Sequence, residues 1–439
     1  MRQNKDYLIT EKPSRALLIF SIPMIIGNLF QQAYTIVDSA IVGRYVGETA
    51  LAAVGASYAL TSIFICIAIG GGIGASVIIS HHFGAHNYGR MKTCIRTALL
   101  SFLFISLILG GVGLIFSQQI MEVLNTPADA IDIAVTYLNI YFLGLPFLFM
   151  YNILSSMFNA LGESRIPLYL LIFSSVLNIF LDLYMVAVLN LGVAGAAYAT
   201  FIAQGISAVL SLIIFVVTLQ QLQGKAEGWF SKTEFSDMSR IALPSILQQS
   251  TVSIGMMLVQ SVVNSFGTQI LAGFSAAMRI ESLCVVPMSA IGNAMSSYTA
   301  QNIGAEKEER ISQGYRAGNF MIIVIAVILC FFLEIAHKPL IALFLDNEPS
   351  AQTIVTGESY LKFIGFFFCM IGFKMAVDGI LRGAGAVKVF TIANMVNLTL
   401  RVTIAKFGAP IWGVSMVWYA VPLGWLANFL ISYGSVSYT

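Results

Sequence analysis

From about residue 20 to residue 415 the chain carries one pattern twice, the second copy displaced by about 220 positions. Pro23 returns as Pro244, Gly47 as Gly267, Gly84 as Gly304 and Arg96 as Arg316. Tyr137 with Tyr360, Gly162 with Gly385 and Gly195 with Gly413 extend the series, at offsets between 218 and 223. Self-similarity at a fixed period marks a fold assembled from equivalent bodies. What those bodies are follows from the apolar runs they share. A membrane span needs about 20 apolar residues, because each rises about 1.5 Å through hydrocarbon about 30 Å thick. Twelve such runs occur, near 16–38, 57–80, 97–118, 134–160, 166–189 and 193–219, then 240–264, 275–300, 317–337, 359–381, 388–406 and 411–434. Charged residues make up 10% and hydrophobic ones 58%, whereas a soluble fold carries about 25% charged residues. The expected fold is therefore an all-α polytopic membrane protein of twelve transmembrane helices in two six-helix repeats. Six is even, so the repeats enter the bilayer from the same side and are parallel. The expected layout is an N-terminal lobe at 1–219, a cytoplasmic linker at 220–239 and a C-terminal lobe at 240–439.

Basic residues set the orientation through the positive-inside rule. Arg2, Lys5, Lys12 and Arg15 precede the first span, and Arg90, Lys92, Arg96, Arg165, Lys225, Arg240, Lys307, Arg310, Arg316 and Arg382 are among those in or beside even-numbered loops. The opposite loops hold Arg44, Lys338 and Lys406 with the acidic Glu122, Asp129, Asp132, Asp346 and Glu348, which places both termini in the cytoplasm. The first apolar run is span-length without a small-residue cleavage site, so no signal peptide is expected. A net charge of +2 gives no nucleic-acid footprint. The five cysteines show no metal spacing and read as small apolar packing groups.

Ionisable residues within spans cost about 2.5–3.5 kcal/mol each on insertion scales, so their presence points to function. Asp38 stands at the outer end of the first run and Asp182 deep in the fifth, with Asn178 one helical turn earlier on the same face. Thr200 follows in the small-residue stretch of the sixth. Two carboxylates, an amide and a hydroxyl form an all-oxygen set suited to a hard cation, Na⁺ or H⁺. The plainer alternative has Asp38 in contact with interfacial water and Asp182 satisfied by a local hydrogen bond. The second copy offers Leu258 or Val259 opposite Asp38, and Arg401 opposite Asp182, so the acidic set is confined to the first copy. Lys374 and Asp378 are four apart and are expected to neutralise each other. The cluster Gly70–Gly74 follows no strand and lacks the P-loop Lys-Ser/Thr, so it is read as close helix packing. His81, His82 and His86 sit in a basic loop without a carboxylate cluster; no metal beyond Na⁺ and no organic cofactor is expected. Met256, Met257, Met278, Met288 and Met295 could form an adaptable surface for bulky apolar ligands.

These residues resemble a known group. Val37-Asp38-Ser39 followed by Val42-Gly43-Arg44, then Leu51-Ala52-Ala53-Val54-Gly55, Phe83-Gly84-Ala85, Ala160-Leu161-Gly162 and the pair Asn178 and Asp182 resemble the multidrug and toxic compound extrusion (MATE) family. Gln301-Asn302-Ile303-Gly304-Ala305 and Leu381-Arg382-Gly383-Ala384-Gly385 carry the resemblance through the second copy. It implies two six-helix lobes around a central cleft, rocking between outward- and inward-facing states. It also implies export of organic, often cationic or amphipathic compounds against an inward Na⁺ or H⁺ gradient. The family's N-lobe cation site maps onto Asp38, Asn178, Asp182 and Thr200, with Tyr34 beside it. The acidic residue that some branches carry in the seventh span is missing, since Gln248 and Gln249 stand there. Gln31, Tyr34, Asn152, Gln249, Met256 and Glu281 are the candidates for the substrate cleft. The expected setting is the bacterial cytoplasmic membrane, with small organic substrates and the lipid bilayer as partners, no nucleic acid, and a functional monomer. A flippase for lipid-linked precursors is the nearest rival, with only Arg279, Lys374 and Arg401 as cations for anionic cargo. A membrane-embedded enzyme is more remote, because no catalytic constellation converges, and a passive channel is the last alternative.

Overall fold

The computed structural model describes residues 6–46, 48–124, 126, 130–345 and 350–436. Arg2, Lys5, Gly47, Asp129, Asp346 and Glu348, which belong to the repeat and charge patterns, lie outside the described residues. The described elements are helices: α1 (Tyr7–Thr10), α2 (Pro13–Tyr45), α3 (Glu48–Gly84), α4 (Tyr88–Val123), α5 (Ile131–Ala160), α6 (Arg165–Asp182), α7 (Gly192–Gln220), α8 (Lys232–Asn264), α9 (Thr268–Gly304), α10 (Glu309–Leu343), α11 (Ala351–Gly365), α12 (Phe368–Gly383), α13 (Val387–Thr403), α14 (Ala409–Trp412) and α15 (Ser415–Val436). Among them, eleven are long and apolar enough to cross a bilayer, or twelve when α11 and α12, bent by 54° at their junction, form one span. Helix is the form these runs must take in lipid, where every backbone polar group has to be satisfied within its own segment.

The duplication is visible in the geometry. Helices α2 and α8 are both 33 residues long, and α3 and α9 are both 37. The turn after α3 places His86 in the left-handed region at φ 53°, and its copy 220 positions later places Glu306 there at 57°. Gly162 and Gly385 share the same conformation, at 79° and 71°, where a residue with a Cβ would be strained. A π-helical turn follows α6 at Leu183–Val188, and another follows α13 at Ile404–Gly408.

The helices overrun their apolar runs. The first run ends at 38, but α2 continues to Tyr45, so Asp38 lies about two turns inside the helix rather than at its end. The apolar window measures lipid thickness, whereas backbone hydrogen bonding continues beyond it. The tenth run, read as one helix, is broken after Gly365, a residue that holds helical conformation weakly. His81 and His82 belong to the last turn of α3 rather than to a loop. The linker read at 220–239 shrinks to 221–231, since α7 reaches Gln220 and α8 starts at Lys232.

Packing draws the lobes differently from the linear sequence. One compact unit joins Met1–Ile25 to Leu247–Thr439, and the other is Ile26–Ile246. Each boundary falls inside a helix, two residues beyond Pro23 in α2 and two beyond Pro244 in α8. Proline has no N–H to donate, which leaves both helices one bond short at these places.

In the unit containing the C-terminal helices, Tyr7, Leu8, Ala16, Leu17 and Phe20 join a core with Phe274, Tyr298, Phe368 and Val421. The carbonyls of Leu8 and Ile9 accept from Asn302 Nδ2 at 3.2 Å and Lys307 Nζ at 3.0 Å, and Arg310 donates to that of Glu11. In the other unit, the Glu234 carboxylate accepts from His82 Nε2 at 2.9 Å and from Arg90 Nη2 and Nε at 2.7 and 3.1 Å. His82 and Asn302 are repeat partners, as are Arg90 and Arg310, each pair 220 apart. The turn between the second and third long helices of each copy thus holds the lead-in to the other copy's first long helix. Large apolar side chains on α4 and α10 face outward, Ile115 at 71% and Ile335 at 82% exposure, as a lipid-facing surface requires.

Glycines set the tight helix crossings. A Cβ on Gly70 would come within 2.5 Å of Ile246 N, and one on Gly74 within 2.6 Å of Met238 O, so the Gly70–Gly74 run does serve close packing against α8. A Cβ on Gly292 would lie 2.7 Å from Met375 O, and one on Gly379 would strike Gly292 O.

Candidate functional site

Within Ile26–Ile246, helical periodicity brings polar side chains of α2, α6 and α7 together. On α6, Asn178 and Asp182 are one turn apart and share a face, at 2% and 0% exposure. On α2, Tyr34 and Asp38 repeat that spacing and are half-buried. Helix α7 supplies Thr200. The Asn178 amide organises the group: its nitrogen donates to Asp182 Oδ2 at 2.8 Å and to the Tyr34 hydroxyl at 2.7 Å, while its oxygen accepts from Thr200 Oγ1 at 3.3 Å and Thr200 N at 3.1 Å. That orientation is required wherever Asp182 is ionised, since a carboxylate accepts and never donates.

The carboxyls of Asp38 and Asp182 are near enough to interact electrostatically. Among the described residues, Asp38 Oδ1 and Asp182 Oδ1 find no donor, and no salt bridge reaches either carboxyl. Two neighbouring carboxyls that no basic side chain pairs with among the described residues repel one another unless a proton or a cation lies between them. The oxygens of Asp38, Asp182, Tyr34 and Thr200 are hard donors of the kind alkali and alkaline-earth cations take. The π-helical turn begins at the residue after Asp182, a local irregularity of a kind frequent at functional sites.

Tyr137 of α5 was not among the sequence candidates, yet it lies close enough to act electrostatically on Tyr34 and to feel Asp38 and Asp182. Its pairing with Tyr360 across the repeats was the one signal that singled it out.

The substrate-cleft candidates are divided between the two units: Gln31, Tyr34 and Asn152 belong to Ile26–Ile246. Gln31 is exposed on α2, and Asn152 Nδ2 donates to Leu148 O of its own helix at 2.9 Å. Gln249, Met256 and Glu281 belong to the unit with the C-terminal helices. Gln249 is half-buried and Met256 is exposed. Glu281 is buried, and its carboxylate accepts from the Tyr360 hydroxyl at 2.6 Å. Met288 and Met295 are core residues, whereas Met257 is exposed. Lys374 and Asp378 form a buried ion pair at 2.8 Å. Asn394 accepts from Lys374 at 3.1 Å and donates to Asp378 at 3.4 Å, and Ser432 donates to Asp378 at 3.3 Å. That lattice ties α12, α13 and α15 together, as a structural pair would.

A family model, MatE, matches residues 23–184 and again residues 244–406, once in each repeat. The chain belongs to the MATE family. Among relatives, a probable multidrug resistance protein of Bacillus subtilis, YpnP, is 33% identical over 384 residues, covering 87% of this chain and 85% of the relative. An FAD transporter of Shewanella oneidensis is 23% identical over 427 residues, covering 96% and 94%. Two solved structures share the fold at 24% identity: an outward-facing MATE multidrug resistance transporter (TM-score 0.90, covering 100% of this chain and 99% of the other) and a transporter from Pyrococcus furiosus described as having a binding pocket of reverse polarity (TM-score 0.91, with the same coverage). This MATE protein is accordingly a multi-pass membrane protein with the twelve-helix fold, and it is a secondary transporter rather than an enzyme.

Proposed function

We propose that this MATE protein is an antiporter that exports organic cationic or amphipathic compounds in exchange for Na⁺ or H⁺, with Asp38 and Asp182 as the exchanging groups. The observation that carries this reading is the pairing of two interacting carboxyls on α2 and α6 that no salt bridge reaches among the described residues. A cation arriving from outside cancels their repulsion and draws the Ile26–Tyr45 part of α2 toward α6. Asn178 transmits the change, because one amide touches Asp182, Tyr34 and Thr200 together. Loss of the cation toward the cytoplasm restores the repulsion and resets the site. Alternating access, cytoplasmic termini, the bacterial inner membrane and a monomeric unit complete the proposal, and relatives named as multidrug resistance proteins support the cargo class.

The rival cargo is anionic and amphipathic, such as a dinucleotide or a lipid-linked precursor, and the FAD-transporting relative favours it. Such cargo needs free cations, but Lys374 is committed to Asp378. The test is accumulation of ethidium in cells lacking their own efflux pumps. Wild-type protein lowers accumulation, and Asp182→Asn, at equal membrane abundance, returns it to the level of empty cells. Efflux by Asp182→Asn at the wild-type rate would defeat the proposal. Export of FAD but not ethidium by the wild type would transfer it to the rival cargo.

A further inference from the structure

The second copy holds a polar group of its own near the place corresponding to Asp182, built from one acid on α9 instead of two and containing its own cation. The repeat offset is 223 at Gly162 and Gly385 and 218 at Gly195 and Gly413. Those values place Arg401 of α13 opposite the turn of α6 that carries Asn178 and Asp182. The π-helical turns fall nearby in both copies, since one begins one residue after Asp182 and the other begins three residues after Arg401. Tyr360, the repeat partner of Tyr137, is within electrostatic reach of Arg401, as Tyr137 is of Asp182. The acid is Glu281 on α9, which is 5% exposed and accepts from the Tyr360 hydroxyl at 2.6 Å. Arg401 is 9% exposed, close enough to act electrostatically on both Glu281 and Tyr360, and its Nε has no hydrogen-bond partner among the described residues.

A buried carboxylate needs a compensating positive charge, and so does a buried guanidinium. In the first copy the charge must be supplied from solution, because both titrating groups are acids. In the second copy one acid lies within electrostatic reach of one base, short of a direct salt bridge, and the charge is supplied by the chain. We propose that Arg401 is a tethered counter-cation: its guanidinium does permanently in the second copy what the exchanging cation does transiently in the first. Arg401 thereby fixes the coupling at one cation site per molecule, and the Glu281–Tyr360 pair is a latent second site for a monovalent cation or proton. This inference rests on the assignment of Asp38 and Asp182 as the exchanging groups.

The test uses the full-length protein purified in detergent, with N,N′-dicyclohexylcarbodiimide as the probe. This reagent modifies carboxyls that hold a proton in an apolar setting, and bound Na⁺ protects such carboxyls; peptide mass spectrometry locates the adduct. In the wild type, Asp38 or Asp182 should be modified and Glu281 should not. Arg401→Gln should make Glu281 reactive to a similar extent, at least tenfold above wild type, with NaCl but not choline chloride giving protection. Arg401→Lys, which keeps a tethered cation, should leave Glu281 unreactive. If Arg401→Gln unfolds, Glu281→Gln in the same chain should restore folding, because the unpaired acid is the cause. Modification of Glu281 in the wild type would overturn the inference. An unreactive Glu281 in folded Arg401→Gln, or an unfolded variant that Glu281→Gln does not rescue, would also overturn it. Failure of the underlying assignment reads differently: neither Asp38 nor Asp182 is modified in any variant.

Discussion

Glu234 offers the sharpest test of how the lead-in to α8 is held. Its side chain is 3% exposed and accepts three charge-assisted hydrogen bonds, from His82 Nε2 at 2.9 Å and from Arg90 Nη2 and Nε at 2.7 and 3.1 Å. Breaking a fully buried ion pair from one side costs about 3–5 kcal/mol. Arg90 is 45% exposed and rehydrates when its partner leaves, which discounts the figure. His82 is 11% exposed and keeps most of its penalty. Glu234→Ala should therefore cost about 2–3 kcal/mol, while Glu234→Gln should cost about 1 kcal/mol, because a glutamine still offers Arg90 an oxygen. The assay is thermal unfolding of purified protein in detergent, with a double-mutant cycle through Arg90→Ala. Coupling of about 1–2 kcal/mol between positions 90 and 234 is expected, against about zero for Glu234 paired with an exposed control position such as Lys232. Additivity of Glu234→Ala and Arg90→Ala within about 0.5 kcal/mol would refute the reasoning, because independent sites behave that way.

Gly379→Ala should weaken the crossing of α9 and α12, since the new methyl strikes Gly292 O; a loss of about 1–3 kcal/mol is expected by thermal unfolding, whereas Ala at the open Gly111 should be near neutral. Lys374→Met should destabilise by about 3–5 kcal/mol by stranding Asp378, and adding Asp378→Leu should recover at least half of that loss; equal stability of the single and double variants would count against a structural pair. Tyr137→Phe should leave the fold intact and change the concentration of Na⁺ or H⁺ at which transport is half-maximal by more than threefold, while an unchanged dependence would place Tyr137 outside the site.

Much of this was legible in the sequence because membranes make charge conspicuous. Asp38, Asn178 and Asp182 stood out as rare polar residues at helical spacing, and the structure brings them together with Tyr34 and Thr200. Tyr137 was harder to see because tyrosine is common in this chain, at 17 residues, and carries no insertion penalty that would mark it. The hold on Glu234 was invisible because its partners are 144 and 152 positions away and look like ordinary charges between spans. The unit boundaries escaped for a different reason. Hydropathy is continuous through Pro23 and Pro244, so only three-dimensional packing shows that each of these helices changes unit midway. The bend between α11 and α12 lies in an unbroken apolar run without proline, where periodicity gives no warning.

The most direct test of the account is transport in proteoliposomes under sodium and pH gradients imposed independently. Cationic dye should move against its own gradient when one of the two ion gradients opposes it, and Asp38→Asn and Asp182→Asn should each abolish that movement in protein that still folds. Dye transport that is driven equally well without either gradient, or that survives loss of both carboxylates, would contradict it.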